Sequence, residues 1–229
     1  MSFGLGRGRT LDPGSHGIGR EGLPSSDAGR IGPEFFFGPR DPARPFDLEI
    51  GSGKGTFLLQ QSALEPGTDF LGIEWAGEFY RYAADRIRRH QRPNVRVLYG
   101  DAGEFISGWL RDDCVRVIHL YFSDPWPKSR HHKRRVVQDA SLHEFHRILR
   151  AGGELRIVTD HDALWEWTEE HVGRHGHLFQ RGPFERPPSA GDGEVVGTNF
   201  ERKYAREGRP FHAMTLTRRP GPTPTHPAA

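Results

Sequence analysis

A single cysteine, Cys114, is present in the chain of 229 residues. One thiol excludes an intrachain disulfide and a cysteine-based metal cage, and it fits a reducing cytoplasm. Long apolar runs are missing as well. None approaches the roughly 20 residues that a membrane-spanning helix needs, and the N-terminus lacks the apolar core of a signal peptide, so no membrane is expected. The 13 histidines are scattered. None pairs with acids at zinc-ligand spacing, so no metal is expected. Internal repeats are absent. Lysine is scarce: among 32 basic residues only Lys54, Lys128, Lys133 and Lys203 are lysines. Coding bias towards arginine accounts for that, yet two of them fall in one cluster. Net charge is only +2, so any footprint for a polyanion must be local.

What the chain does contain is strand, acidic tip and helix, three times over, the pattern of a doubly wound α/β sheet. Residues 46–50 read as a strand running into Glu49-Ile50-Gly51-Ser52-Gly53-Lys54-Gly55. A Gly-rich turn between strand and helix lets a ligand approach the backbone at the positive end of the helix dipole. A P-loop is excluded, because Leu48 stands at its first glycine and Gly55 at its Ser/Thr. The G-x-G-x-G spacing also differs from the G-x-G-x-x-G of dinucleotide folds. It matches the acidic-x-G-x-G-x-G loop of adenosylmethionine-dependent enzymes. A helix is expected over 56–64 and a second strand over 69–74. That strand ends in Glu74, placed to grip a ribose diol or to cap the next helix. A third strand over 94–98 leads to Asp101, a candidate adenine contact, a helix cap, or both. Residues 76–91 read as a helix burying Phe79, Tyr80, Ala83, Ala84 and Ile87.

The fourth strand, 115–122, runs into LYFSDPWPKSRHHKRR, residues 120–135. Its tip carries Asp124, then a Pro-Trp-Pro turn, then a dense basic cluster. Ligands of open α/β sheets bind at such strand ends, while Asp-Pro and Pro-x-Pro are also ordinary turn formers. A helix over 134–150, a fifth strand over 154–159 ending at Asp160, a helix over 162–172, and strands over 175–181 and 211–218 complete the domain. Thr198-Asn199-Phe200-Glu201 is a capping box, with Gly208 suited to the helix end. Residues 1–43 lack hydrophobic periodicity and read as a flexible arm, with Phe35, Phe36 and Phe37 as a docking point. Residues 44–218 read as one folded domain and 219–229 as a disordered tail.

Together these pieces resemble the tRNA (guanine-N7-)-methyltransferase family. The matching stretches are LEIGSGKGTF (48–57), FLGIE (70–74), Asp101, FSDPWPKSRHHKRR (122–135), GGELRIVTD (152–160) and TNFERKYAREGRPFHAMTLTR (198–218). Ser123 stands where many relatives carry proline, and FGLGRGRT (3–10) echoes the family's basic arm too faintly to transfer a role. The resemblance implies a Rossmann-like, seven-stranded, mostly parallel sheet with an antiparallel last strand. It implies a cytoplasmic enzyme that methylates N7 of guanosine 46 in the tRNA variable loop, with S-adenosyl-L-methionine as donor and no metal. It also implies that Glu49, Gly51, Gly53, Gly55, Glu74, Asp101 and Asp124 hold the donor, with Asp124 central to catalysis. Lys128, Asp160, Thr198, Asn199, Phe200 and Glu201 would contact substrate. Arg130, His131, His132, Lys133, Arg134 and Arg135 would track the RNA. No obligate protein partner is evident, and monomer and homodimer both stay open. The rival readings are a non-catalytic RNA-binding module on the same scaffold and a methyltransferase acting on another base.

Overall fold

Every residue of the strand Phe46–Ile50 is buried, as is every residue of Asp69–Glu74. Strands covered on both faces belong at the centre of a parallel sheet, and that is where the computed structural model, which describes residues 10–221, places them. The elements are β1 (Gly17–Ile18), α1 (Pro33–Phe37), β2 (Phe46–Ile50), α2 (Thr56–Leu64), β3 (Asp69–Glu74), α3 (Gly77–Arg89), β4 (Val95–Tyr99), α4 (Ala102–Gly108), β5 (Val115–Tyr121), α5 (Asp139–Ile148), β6 (Leu149–Thr159), α6 (Asp162–Arg174), β7 (Phe179–Gly182), α7 (Asn199–Arg206) and β8 (His212–Arg218). The sheet order is β1-β4-β3-β2-β5-β6-β8-β7. All pairings are parallel except those of β8, which runs antiparallel to both β6 and β7. The expected antiparallel last strand is therefore present, in an eight-stranded rather than a seven-stranded sheet. No helix among the described residues is long and apolar enough to cross a membrane.

The eighth strand comes from the segment expected to be a flexible arm. From Thr10 onward this segment lies against the domain instead. Gly17 and Ile18 pair with Val97 and Leu98. Ile31 bridges to Leu110, and the Trp109 indole donates to the Pro24 carbonyl (2.8 Å). Phe36 and Phe37 are buried in the main core, with ring centroids 6.4 and 6.3 Å from Phe46. The apolar anchors here are isolated, and each packs on an element distant in sequence. Periodicity reports regular elements only, so it gave no sign of them beyond the Phe35–Phe37 triplet expected to dock, of which Phe36 and Phe37 are buried and Phe35 is exposed. Residues 1–9 and 222–229, the basic echo and most of the expected tail, lie outside the described residues.

One helix is shorter than expected. The stretch 134–150 begins as a helix only at Asp139, where Gln138 and Ser141 form a reciprocal capping box. The basic residues before it form a 3₁₀ turn, Ser129–Arg134, which keeps them at the carboxyl edge of the sheet. At the far end α6 continues to Arg174, so β7 starts at Phe179 rather than near 175.

Candidate active site at the carboxyl edge of the sheet

The glycine turn after β2 folds over the tip of β3. Gly53 sits at φ +52°, in the left-handed region, and its N–H donates to Glu74 Oε2 (2.7 Å). The Ala76 N–H donates to the other oxygen of the same carboxylate (2.8 Å). Gly72, the glycine of FLGIE, is needed for this closure: a Cβ there would lie 2.3 Å from Ser52 Oγ and 2.5 Å from Leu58. The acid at the tip of β3 and the glycine turn thus form one unit, linked by hydrogen bonds that span the two motifs.

Glu49 lies beside it, 5% exposed, with Oε2 buried and without a hydrogen-bond partner. Burial, and then the negative charge of Glu74, push its carboxyl well above the usual carboxylate range. Glu74 is itself raised, by burial first and also by Asp124, against the lowering effect of its backbone donors. Three acids from three strand tips therefore converge, and Ser52 Oγ is another buried polar atom without a partner. Buried carboxyls and an unpartnered hydroxyl suit a ligand that brings positive charge and hydrogen-bonding groups. S-adenosyl-L-methionine carries an ammonium, a sulfonium and two ribose hydroxyls, so the residues present fit it. Asp101, at the tip of β4, is exposed and accepts the Glu104 N–H as N-cap of α4 (2.9 Å).

Glu49→Gln is expected to raise the melting temperature at neutral pH when no ligand is added. The native carboxyl keeps its proton where the unfolded chain has lost it, so wild-type stability falls as pH rises above the ordinary carboxylate range. The difference should vanish below that range, which thermal melts across pH would show.

Asp124 is exposed, between two residues with left-handed backbones, Phe122 (φ +53°) and Trp126 (φ +44°). Non-glycine residues hold this conformation only where the surroundings enforce it. Phe122 packs against Tyr204 and Phe211, with centroids 5.9 and 5.5 Å away. Trp126 is covered by the Arg134 guanidinium (4.9 Å) and edged by His131.

Lys128, Arg130, Lys133 and Arg134 face solvent. Arg135 does not, which corrects its expected place in the RNA track. It is 5% exposed, donates to the Pro125 carbonyl (2.9 Å) and lies over the Trp167 ring (5.0 Å). An arginine fixed to the backbone of the Asp-Pro-Trp-Pro turn supports that turn. His132 also turns inward, against Trp167.

The Thr198 segment divides in two. Thr198 Oγ1 accepts the Glu201 N–H, and the Glu201 carboxylate accepts the N–H groups of Val195, Val196 and Gly197. Glu201, expected to touch substrate, is 2% exposed and committed to this loop. Asn199 and Phe200 do face the site. The Asn199 side-chain amide donates to Thr56 Oγ1 (2.9 Å), and Phe200 lies over Gly53, 3.5 Å from where a Cβ would be. Asp160, at the tip of β6, accepts Arg209 Nη1 (2.6 Å). Tyr204 and Arg209 were absent from the expected site. The spacing of Tyr204 four residues after Phe200 was the available sign of a shared helix face.

A family model described as "Putative methyltransferase" matches residues 43–214. Among solved structures, the aminoglycoside resistance methyltransferase NpmB1 superposes with a TM-score of 0.53 at 18% identity, covering 76% of this chain and 87% of that one. The antibiotic-resistance methyltransferase Kmr gives 0.52 at 20%, covering 79% and 89%. At these identities the likeness shows the fold. Sequence relatives go further. A tRNA (guanine-N(7)-)-methyltransferase of Nitrobacter hamburgensis is 37% identical over 215 residues, 90% of this chain and 82% of that protein. One from Geobacillus thermodenitrificans is 33% identical over 177 residues, 77% and 81%. With an acid-lined glycine turn, a carboxylate just after β5 and these relatives across most of its length, the chain belongs to the tRNA (guanine-N(7)-)-methyltransferase family.

Proposed function

We propose that this protein methylates N7 of guanosine 46 in the variable loop of tRNA. The reading rests on one observation above others: Glu49, Glu74 and Asp124 stand at the carboxyl edge of the sheet, and the turn that follows Asp124 exposes Lys128, Arg130, Lys133 and Arg134. Acids suited to a cationic donor thus stand beside cations suited to an RNA backbone. Guanine N7 carries an in-plane lone pair and no proton, so the reaction needs no general base. S-adenosyl-L-methionine, when bound, supplies an electrophilic methyl group on sulfur.

The protein's part is orientation and electrostatics. Glu49, Glu74 and Asp101 hold the donor, with the turn of Gly51, Gly53 and Gly55 against it. Asp124 and Asp160 accept hydrogen bonds from guanine N1–H and N2–H. These bonds strengthen as the purine becomes cationic, which stabilises the transition state more than the bound substrate. Lys128 and the exposed arginines hold phosphates.

Incubating the protein with labelled donor and unmodified tRNA, followed by nucleoside analysis, tests the reading. Label recovered in 7-methylguanosine is the expected result. Label in another nucleoside would keep the donor site and reject the substrate. Failure to bind the donor at all would favour a non-catalytic RNA-binding module.

The two kinds of arginine should separate by measurement. Lys133→Ala with Arg134→Ala is expected to reduce the slope of log affinity for tRNA against log salt by roughly 1–2, with donor affinity intact. Arg135→Ala should instead cost about 1–3 kcal/mol of stability, because it leaves the partly buried Pro125 carbonyl without its donor. Its effect on the salt slope should be small.

A further inference from the structure

Arg209 presents a flat group with donors along one edge to Asp160 and Tyr204. Its guanidinium donates to Asp160 Oδ2 (2.6 Å), and its central carbon is 4.3 Å from the centroid of the Tyr204 ring. Guanine has the same two features, a flat face and an edge of N–H donors. Tyr204 is well placed to meet a base. It stands on α7 four residues after Phe200, and the two rings stack with centroids 6.1 Å apart at 27°. Phe200 reaches Gly53 of the glycine turn, while the ring of Phe122, two residues before Asp124, lies 5.9 Å from that of Tyr204. The Tyr204 hydroxyl titrates above its ordinary value, through burial first, then the charge of Asp160, with Asp124 also contributing. Through Arg209 the ring adjoins Asp160, and through Phe122 it adjoins the turn that carries Asp124.

We propose that Tyr204 is the stacking face of the guanine subsite, and that Arg209 occupies this subsite until the base displaces it. The inference rests on the guanine reading above and adds to it the residue that holds the flat face. Arg209 is suited to leave. It follows Gly208 (φ +69°) in an exposed turn, and its side chain is 42% exposed. Its other ion pair, with Glu207, is also at the surface. The Glu207 pair holds weakly, a phosphate can replace either carboxylate as partner, and Asp160, with its side chain 10% exposed, then takes its donor from the base edge. Stacking also favours catalysis in the right direction. An aromatic face attracts a cation more than a neutral ring, so Tyr204 would stabilise the purine as it acquires positive charge.

The probe is guanosine 5′-monophosphate as an inhibitor of methyl transfer to tRNA, with donor affinity and melting temperature as controls of folding. Arg209→Ala is expected to lower its inhibition constant at least threefold, because the competing side chain is gone. In that background Tyr204→Leu should raise the constant at least tenfold, and Tyr204→Phe should restore it. A side chain that only supports α7 would instead alter melting temperature and donor affinity together. Weaker, unchanged or absent inhibition in Arg209→Ala overturns the proposal, as does equal inhibition in the Tyr204→Leu and Tyr204→Phe variants. Wild-type label on a nucleoside other than 7-methylguanosine overturns the guanine reading, and the subsite with it. Correct label together with indifferent inhibition overturns the subsite alone.

Discussion

Asp124→Asn should lower the rate of methyl transfer, at saturating donor and tRNA, by about 10²–10³-fold. The substitution preserves size and keeps the strained turn between Phe122 and Trp126 in place. It changes two things. An amide offers one acceptor oxygen where the carboxylate offers two, and its NH₂ group opposes a guanine N–H that faces it. It also removes a negative charge beside a purine that becomes positive. A charge pair about 5 Å apart is worth roughly 3 kcal/mol at an effective dielectric constant near 20, or about two powers of ten in rate. Asp124 is exposed, so this figure requires tRNA to exclude water from the strand tip. Single-turnover kinetics separate this role from donor binding. A normal rate at saturating donor, with only donor affinity reduced, would make Asp124 a donor ligand and nothing more.

The largest expected loss of stability lies one turn below the site. Asp47 is 1% exposed on β2 and receives both Nε and Nη2 of Arg116 (2.9 and 2.7 Å) from β5. Arg116 Nη2 also pairs with Glu65 (2.7 Å), and His119 Nε2 approaches Asp47 Oδ2 at 3.3 Å. Burial by itself would raise the Asp47 carboxyl, but the hydrogen bonds of Arg116 and His119 outweigh it and hold the group below its ordinary range. Burial keeps His119 below its usual value despite Asp47.

Arg116→Ala is expected to cost about 3–5 kcal/mol, the penalty for stranding a buried charge. Urea unfolding at neutral pH measures it. The loss should be clearly smaller in an Asp47→Leu background, where no charge is stranded. The sign with pH follows from the lowered Asp47. Its contribution in the wild type is present above the ordinary carboxylate range and fades as pH falls through the depressed value. In Arg116→Ala the buried carboxyl has lost its guanidinium, so stability should instead decline as pH rises. A cost under about 1 kcal/mol would mean that Asp47 is solvated and the pair dispensable.

Much of the site was legible because it depends on local order along the chain. Glu49, Glu74, Asp101 and Asp124 each end or follow a strand, and strand ends follow from apolar runs and turn residues. The Asp47 network was not legible. An aspartate on a strand, an arginine about seventy positions later and a glutamate between them carry no joint signature, and only the β2–β5 register sets Asp47 opposite Val117, next to Arg116. Arg135 was misplaced for a related reason. In sequence it is one more cation in a run. In the structure the 3₁₀ turn ends before it and turns its side chain towards Trp167. Glu201 shows the other side of the same limit. The capping box was visible, but the carboxylate's commitment to three preceding N–H groups depends on the path of the 195–197 loop.

By itself, then, the sequence determined the alternation of strands and helices, the glycine turn, the acids at the strand tips and the basic turn after Asp124. These follow from side-chain polarity and short-range backbone preference, which act between near neighbours. The tertiary structure decided which of those groups meet. It joined Gly53 to Glu74 and Arg209 to Asp160, laid residues 10–43 against the sheet, and separated Arg135 from the cations around it. The physical reason is that burial, and with it the strength of every charge and hydrogen bond, depends on neighbours brought close by sheet register and packing.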